Sequence, residues 1–291
     1  METSRRAGDR GLEAPLPTRG PWWNVGRPIR PTARFLMETE AHVYALAVSA
    51  SVLLSFYPFL IVMLSFCRNI LHWPAAVEAI YLALDDFMPG DLGAFIKRNL
   101  PLRGHLQLTS MFLLLFTANG VFEPLEVALN RIWGVRVNRS YLKNQLVSLG
   151  MIFLCGGLAL VSFMLSALNQ QWISDWVGPH PKAVLWFNIL VFKLAAVPIS
   201  ILALFMIYWL LPNRKIPPVR VAPVAILVGL ALEGLKYVNL LVWHALRDKL
   251  AREYGVFHNS VTILLWSFVG ALVILAGAEW AARHSGQDQV D

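Results

Sequence analysis

Apolar residues recur along the chain in six long runs, at residues 42–66, 106–135, 146–168, 185–211, 219–243 and 261–280. A helix needs about 20 such residues to cross roughly 30 Å of hydrocarbon, so each run is a candidate span. Between the first two runs the pattern changes. Val77, Ile80, Tyr81 and Leu84 form one apolar face against Glu78, Asp85 and Asp86. Pro89-Gly90 then makes a turn, and Leu92, Phe95, Ile96 and Leu100 form a second face. Neither piece can span a bilayer, and both fit short helices lying on the outer surface. The predicted fold is all-α: a polytopic membrane protein with six transmembrane helices and two short amphipathic interfacial helices between spans one and two.

The run 106–135 stands out because it acquires Asn119, Glu123, Glu126 and Asn130 without the turn residues that end a helix. At 100° per residue these positions fall within about 60° of one face. Two arrangements satisfy such a stripe. The helix leaves the membrane with its polar face in water, or the stripe faces other helices, a water-filled cavity or a head group. Pro124, inside the stripe, removes one helix hydrogen bond and is expected to kink the segment. Ser49, Ser51 and Ser55 in the first run are expected to bond back to their own backbone or to permit close packing. Gly156-Gly157, Ser162 and Ser166 in the third supply small residues for helix contact.

Composition narrows the class. The chain is 57% hydrophobic and 15% charged, against about a quarter charged in soluble domains, with a mean hydropathy of +0.55. One membrane domain, residues 35–281, is expected between a flexible basic arm (1–34) and a short polar tail (282–291). The arm holds seven arginines and lacks the apolar core of a signal peptide. Cys67 and Cys155 have no CxxC partner and support neither a disulfide framework nor a zinc site.

The net charge of +7 reads as topology and contact with anionic membrane lipid rather than nucleic acid. Six spans put both termini on one side. That side carries 15 Lys and Arg and the opposite side 8, which makes the termini cytoplasmic at a bacterial inner membrane. Whether the chain forms a homo-oligomer or meets an envelope protein partner stays open.

Enzymatic chemistry finds little support. The seven histidines are scattered, with no HxH or HExxH pair, and there is no GxSxG and no phosphate-cradling Gly-Lys loop. The adjacent carboxylates Asp85-Asp86 are expected as a solvated outer face. No cofactor or metal is expected, and the chain is read as a non-enzyme.

Intramembrane charge is the stronger signal. Lys193 and Lys236 lie equally far from the tight loop 212–218. In an antiparallel hairpin they share one depth, about 30 Å from that loop. Glu233, one turn from Lys236, can neutralise it. The lysines either converge with Glu233 as an anion site, receiving a phosphorylated head group from the stripe, or snorkel to the outer head groups and anchor their helices.

The motifs LNRIWGV (129–135), LLPNRKI (210–216) and LEGLKYV (232–238) resemble the YihY/BrkB family of bacterial inner-membrane proteins. SFYP (55–58), Tyr254-Gly255 and GAE (277–279) are similar to its pattern too, and the likeness covers residues 40–280. The resemblance implies a six-helix all-α membrane fold. Asn130, Arg131, Trp133, Pro212, Asn213, Glu233, Lys236 and Glu279 match family positions, whereas Asn119 and Glu123 rest on helix geometry alone. Members have carried a ribonuclease BN label regarded as misassigned, and others are associated with serum resistance and envelope integrity. The resemblance implies handling or transport of an anionic envelope lipid or its precursor. The alternative is a non-catalytic scaffold or assembly factor of the envelope, and ribonuclease activity is the least expected.

Overall fold

The computed structural model describes residues 30–37, 39–87, 104–135, 139–177 and 197–286. Its helices are α1 (Arg30–Leu36), α2 (Thr39–Ser65), α3 (Pro74–Phe87), α4 (Gly104–Ile132), α5 (Tyr141–Val177), α6 (Val197–Leu210), α7 (Pro218–Tyr254) and α8 (His258–Gly286). No strand occurs among the described residues. The apolar runs fall on α2, α4, α5, α6, α7 and α8 in order; of the fourth run, 197–210 forms α6 and 185–196 lies outside the described residues. By length and composition Glu40–Ile70, Leu142–Ser162 and Pro218–Arg283 can cross a membrane, the last being the α7–α8 hairpin. Val197–Leu210 is a shorter apolar helix.

Helix α2 packs antiparallel along α4 and also lies against α8, while α7 and α8 pair with each other. Backbones approach where a side chain is missing. A Cβ on Gly120 of α4 would lie 2.9 Å from Ser51 Oγ on α2, and one on Gly229 of α7 would lie 2.6 Å from Ile201 on α6. Gly277 of α8 faces Val228 of α7 and the Tyr208 hydroxyl with no room for a methyl group. Lipid tails are as apolar as leucine, so close packing of small residues drives association here rather than escape from water. Gly156 sits at ordinary contact distance from Phe59, whereas Gly157, its expected companion, faces open space. Ser49 and Ser55 donate to the carbonyls of Leu46 and Val52, as the backbone-bonding expectation requires.

Two apolar cores stack along the bundle. The larger joins Leu125, Leu129 and Trp133 of the α4 end to Leu204 and Tyr208 of α6, Val224 and Val228 of α7, and Leu275 of α8. We call this end the base. Tyr208 is buried and donates to Ile274 O at 2.7 Å, tying α6 to α8. The second core, at the other end, joins Leu60 and Leu64 of α2, Ile80 and Leu84 of α3, Trp243 of α7 and Ile263 of α8. There α2 ends in a π-helical turn, Phe66–Ile70. The chain then reverses through His72 (φ 51°) into α3. The inner face of α3 includes the expected Ile80 and Leu84, buried with Ala76 and Ala79, and the expected Val77 and Tyr81 pack half-buried against the same core.

Three boundaries differ from the sequence reading. Helix α7 continues to Tyr254, eleven residues past the end of the apolar run at 243. Its last turns, HALRDKLAREY, are built of strong helix formers and carry a Lys249–Glu253 contact at 4.0 Å. It stops at Gly255, whose φ of 54° suits glycine. Helix α5 likewise runs on to Val177 rather than ending near 168. Helix α1 begins at Arg30, inside the stretch expected as an arm, and its Phe35 packs on the larger core. Helix α4 continues through Pro124. The second amphipathic segment, around 92–100, lies outside the described residues.

Candidate functional site

The stripe on α4 divides at the base. Glu126 and Asn130 are buried, at 3% and 5% exposure, while Glu123 points outward. Asn119 is on the same helix, but its side chain lies outside the described residues. Glu126 meets the 211–217 loop through Arg139, which stands between α4 and α5, and Asn130 meets it directly. Arg139 Nη1 donates to Leu211 O at 3.1 Å, and Nη2 donates to Leu210 O at 3.2 Å and Pro212 O at 3.1 Å. Its Nε donates to Asn213 Oδ1 at 3.2 Å. These are the carbonyls a helix leaves unpaired at its C-terminus, where the macrodipole also favours a cation.

A carboxylate balances that guanidinium. Glu126 Oε1 lies 3.6 Å from Arg139 Nη1 and 3.5 Å from Asn130 Nδ2. The Asn144 side-chain amide faces Glu126, and the orientation that satisfies both groups turns its nitrogen to donate to the carboxylate, at 2.8 Å to Oε1. Asn130 Oδ1 accepts from the Asn213 backbone N–H at 2.7 Å, and Arg214 Nη1 donates to Trp133 O at 3.1 Å. Asn130, Trp133, Pro212 and Asn213 therefore meet in one clasp that fastens the α6–α7 loop to the end of α4. Motif matching found four of its members. It did not find Arg139 or Asn144, whose signal was a buried glutamate in need of a cation in the next connection.

Beside the clasp, Arg131 and Glu279 line a recess between α1, α2, α4 and α8. Arg131 Nη2 donates to Glu40 Oε1 at 2.7 Å, and Arg283 pairs with Glu279 one turn away on α8. Glu279 Oε2 is buried and makes no hydrogen bond, an arrangement that typically costs about 1–3 kcal/mol.

The third polar group stands apart. On α7, Lys236 Nζ lies 2.7 Å from Glu233 Oε2, with side chains 31% and 19% exposed. Glu233 is about 22 Å along the helix axis from Pro218, well above the clasp at the base where Glu126 and Asn130 lie. Lys193 lies outside the described residues. Among the described residues no three His, Cys, Asp or Glu side chains gather to hold a metal ion.

The profile of the family described as Virulence factor BrkB matches residues 33–290. The chain is similar to a UPF0761 membrane protein of Acinetobacter baylyi, 26% identical over 81% of the chain and 57% of the relative. It is similar to one of Chlorobium chlorochromatii, 25% identical over 84% of the chain and 56% of the relative. A third, of Chromohalobacter salexigens, is 27% identical over 82% of the chain and 58% of the relative. The chain thus spans a little over half the length of the curated relatives it matches. No solved structure matches it. The helical bundle, its apolar spans and the extent of the profile match make this chain an integral membrane protein of the YihY/BrkB family.

Proposed function

We propose that the protein handles an anionic envelope lipid, or its precursor, within the bacterial inner membrane, and that Glu233 and Lys236, together with Lys193, meet the phosphorylated head group. The observation that carries this reading is the Glu233–Lys236 ion pair, held at 2.7 Å inside a helix of the α7–α8 hairpin. Ionisable groups at membrane depth are expensive and mark ligand or ion pathways. One glutamate balances one lysine, so a second lysine at the same depth draws an anion as third member. In this reading the chain has six spans, the base is cytoplasmic, and the clasp fixes the loop from which both lysine-bearing helices rise. The protein acts without chemical catalysis.

The test is binding of phosphatidylglycerol and of a phosphorylated lipid precursor by purified protein. Lys193→Ala or Lys236→Ala should weaken binding at least fivefold, and Lys236→Arg should keep part of it, since guanidinium retains the charge in another shape. Unchanged binding in both alanine variants would mean that the lysines snorkel, and would remove the site.

A scaffold is the second reading, supported by the far end of the α7–α8 hairpin. Val256 and Phe257 there are 90% and 68% exposed, with Arg247, Lys249 and Arg252 nearby. A partner contact at that tip would be lost in a Phe257→Ser variant while lipid binding persists.

A further inference from the structure

The recess at the base is half open to the surface and has a volume of about 360 Å³, within the range of small-molecule sites, about 300–1,000 Å³. Its charges come in two layers. The Arg131–Glu40 pair lies at the mouth, with side chains 61% and 53% exposed. The Arg283–Glu279 pair lies deeper, at 33% and 12%. Phe35, Tyr44 and Ile132 supply apolar walls. We infer that this recess binds the head group of a zwitterionic phosphoamine lipid, of the phosphatidylethanolamine kind; the inference does not rest on the Glu233–Lys236 reading.

Charge balance is the first argument. The two arginines and two glutamates cancel. An anion alone would draw a guanidinium from its carboxylate and leave that carboxylate unpaired in a poorly hydrated recess. A cation alone would do the reverse. A phosphate tethered to an ammonium exchanges both partners at once: guanidinium turns to phosphate and carboxylate to ammonium. The forked donors of arginine suit phosphate oxygens.

The second argument is the state of Glu279. Glu279 lines the recess; Arg283 contacts its Oε1, and its Oε2, buried with no hydrogen bond, gains a donor when the carboxylate turns toward a ligand there. A primary ammonium brings three N–H donors, whereas a trimethylammonium brings none. The recess therefore has a reason to prefer ethanolamine to choline. The third argument is place. Glu40 is in the first turn of α2 and Arg131 in the last turn of α4. Helix ends of this kind lie at the membrane interface, where head groups are found.

The experiment is a native mass-spectrometric titration of delipidated protein with phosphatidylethanolamine, phosphatidylcholine and phosphatidylglycerol of matched chains. Phosphatidylethanolamine should bind at least fivefold more tightly than phosphatidylcholine, while phosphatidylglycerol reports the separate site on α7. Glu279→Gln should bring it within twofold of phosphatidylcholine. Glu40→Gln, at the exposed mouth, should lower the preference in the same direction and serves if the deeper variant does not fold. Equal binding of phosphatidylethanolamine and phosphatidylcholine, or a preference that survives both glutamate variants, would overturn the inference. Soluble phosphoethanolamine binding as tightly as the lipid would overturn the assignment to a lipid.

Discussion

Replacing Arg139 with Gln should destabilise the protein more than any other single polar change at the base. The substitution removes the cation facing Glu126, which is buried on α4, and strips donors from the carbonyls of Leu210, Leu211 and Pro212. At the 3.6 Å separation of the charges, an effective dielectric of about 20 gives an attraction of roughly 4–5 kcal/mol. Leaving one member of such a pair uncompensated typically costs about 3–5 kcal/mol. Arg139→Lys keeps the charge but offers a compact ammonium instead of a fork, so an intermediate loss of about 1–3 kcal/mol is expected. Glu126→Gln should lose less than Arg139→Gln, because the guanidinium keeps its three carbonyls. In the double variant the losses should not add, since the carboxylate that made the first change expensive is gone. Denaturant titration of the purified protein in one detergent, with the four variants side by side, measures this cycle. Wild-type stability in Arg139→Gln, or simple additivity in the double variant, would refute the view of the clasp as a coupled charge pair.

Gly229→Val and Gly277→Val should each destabilise by about 1–3 kcal/mol through overpacking, whereas Gly270→Ala, whose Cβ would lie 3.9 Å from Leu232, should be near neutral; thermal melts in detergent compare them. Tyr208→Phe should cost about 1 kcal/mol, the net worth of its bond to Ile274 O, read in the same melts. In a background lacking Cys67 and Cys155, an impermeant thiol reagent applied to intact cells should label Ser174→Cys and spare Ser285→Cys. Labelling of position 285 from outside would reverse the proposed topology.

The six hydrophobic runs were enough to lay out the helices in order, because a lipid-facing or core-facing helix must be apolar over most of its length. Helix limits were less legible. Apolarity ends where the lipid ends, but α7 continues on helix propensity and side-chain pairing as far as Gly255. Small residues misled in a similar way. Gly156-Gly157 is a conspicuous pair, yet among the described residues the closest approaches are at Gly120, Gly229 and Gly277, single glycines whose facing residues no local pattern reveals.

The site was half legible. Glu126 and Asn130 announced themselves as a polar stripe on an apolar helix, and Asn213 as part of a loop motif. Arg139 and Glu40 did not, because each sits in an ordinary charged connection or helix start. Their partners come from other helices, 13 and 91 positions away for the ion pairs with Glu126 and Arg131.

The most direct test of the proposed lipid handling uses vesicles reconstituted with the protein and a labelled anionic phospholipid, with a membrane-impermeant quencher reporting movement between leaflets. Wild-type protein should speed the exchange over protein-free vesicles, Lys236→Ala and Lys193→Ala should each remove most of the gain, and Lys236→Arg should restore part of it. Exchange no faster than in protein-free vesicles, or equally fast with either lysine replaced by alanine, would contradict the account.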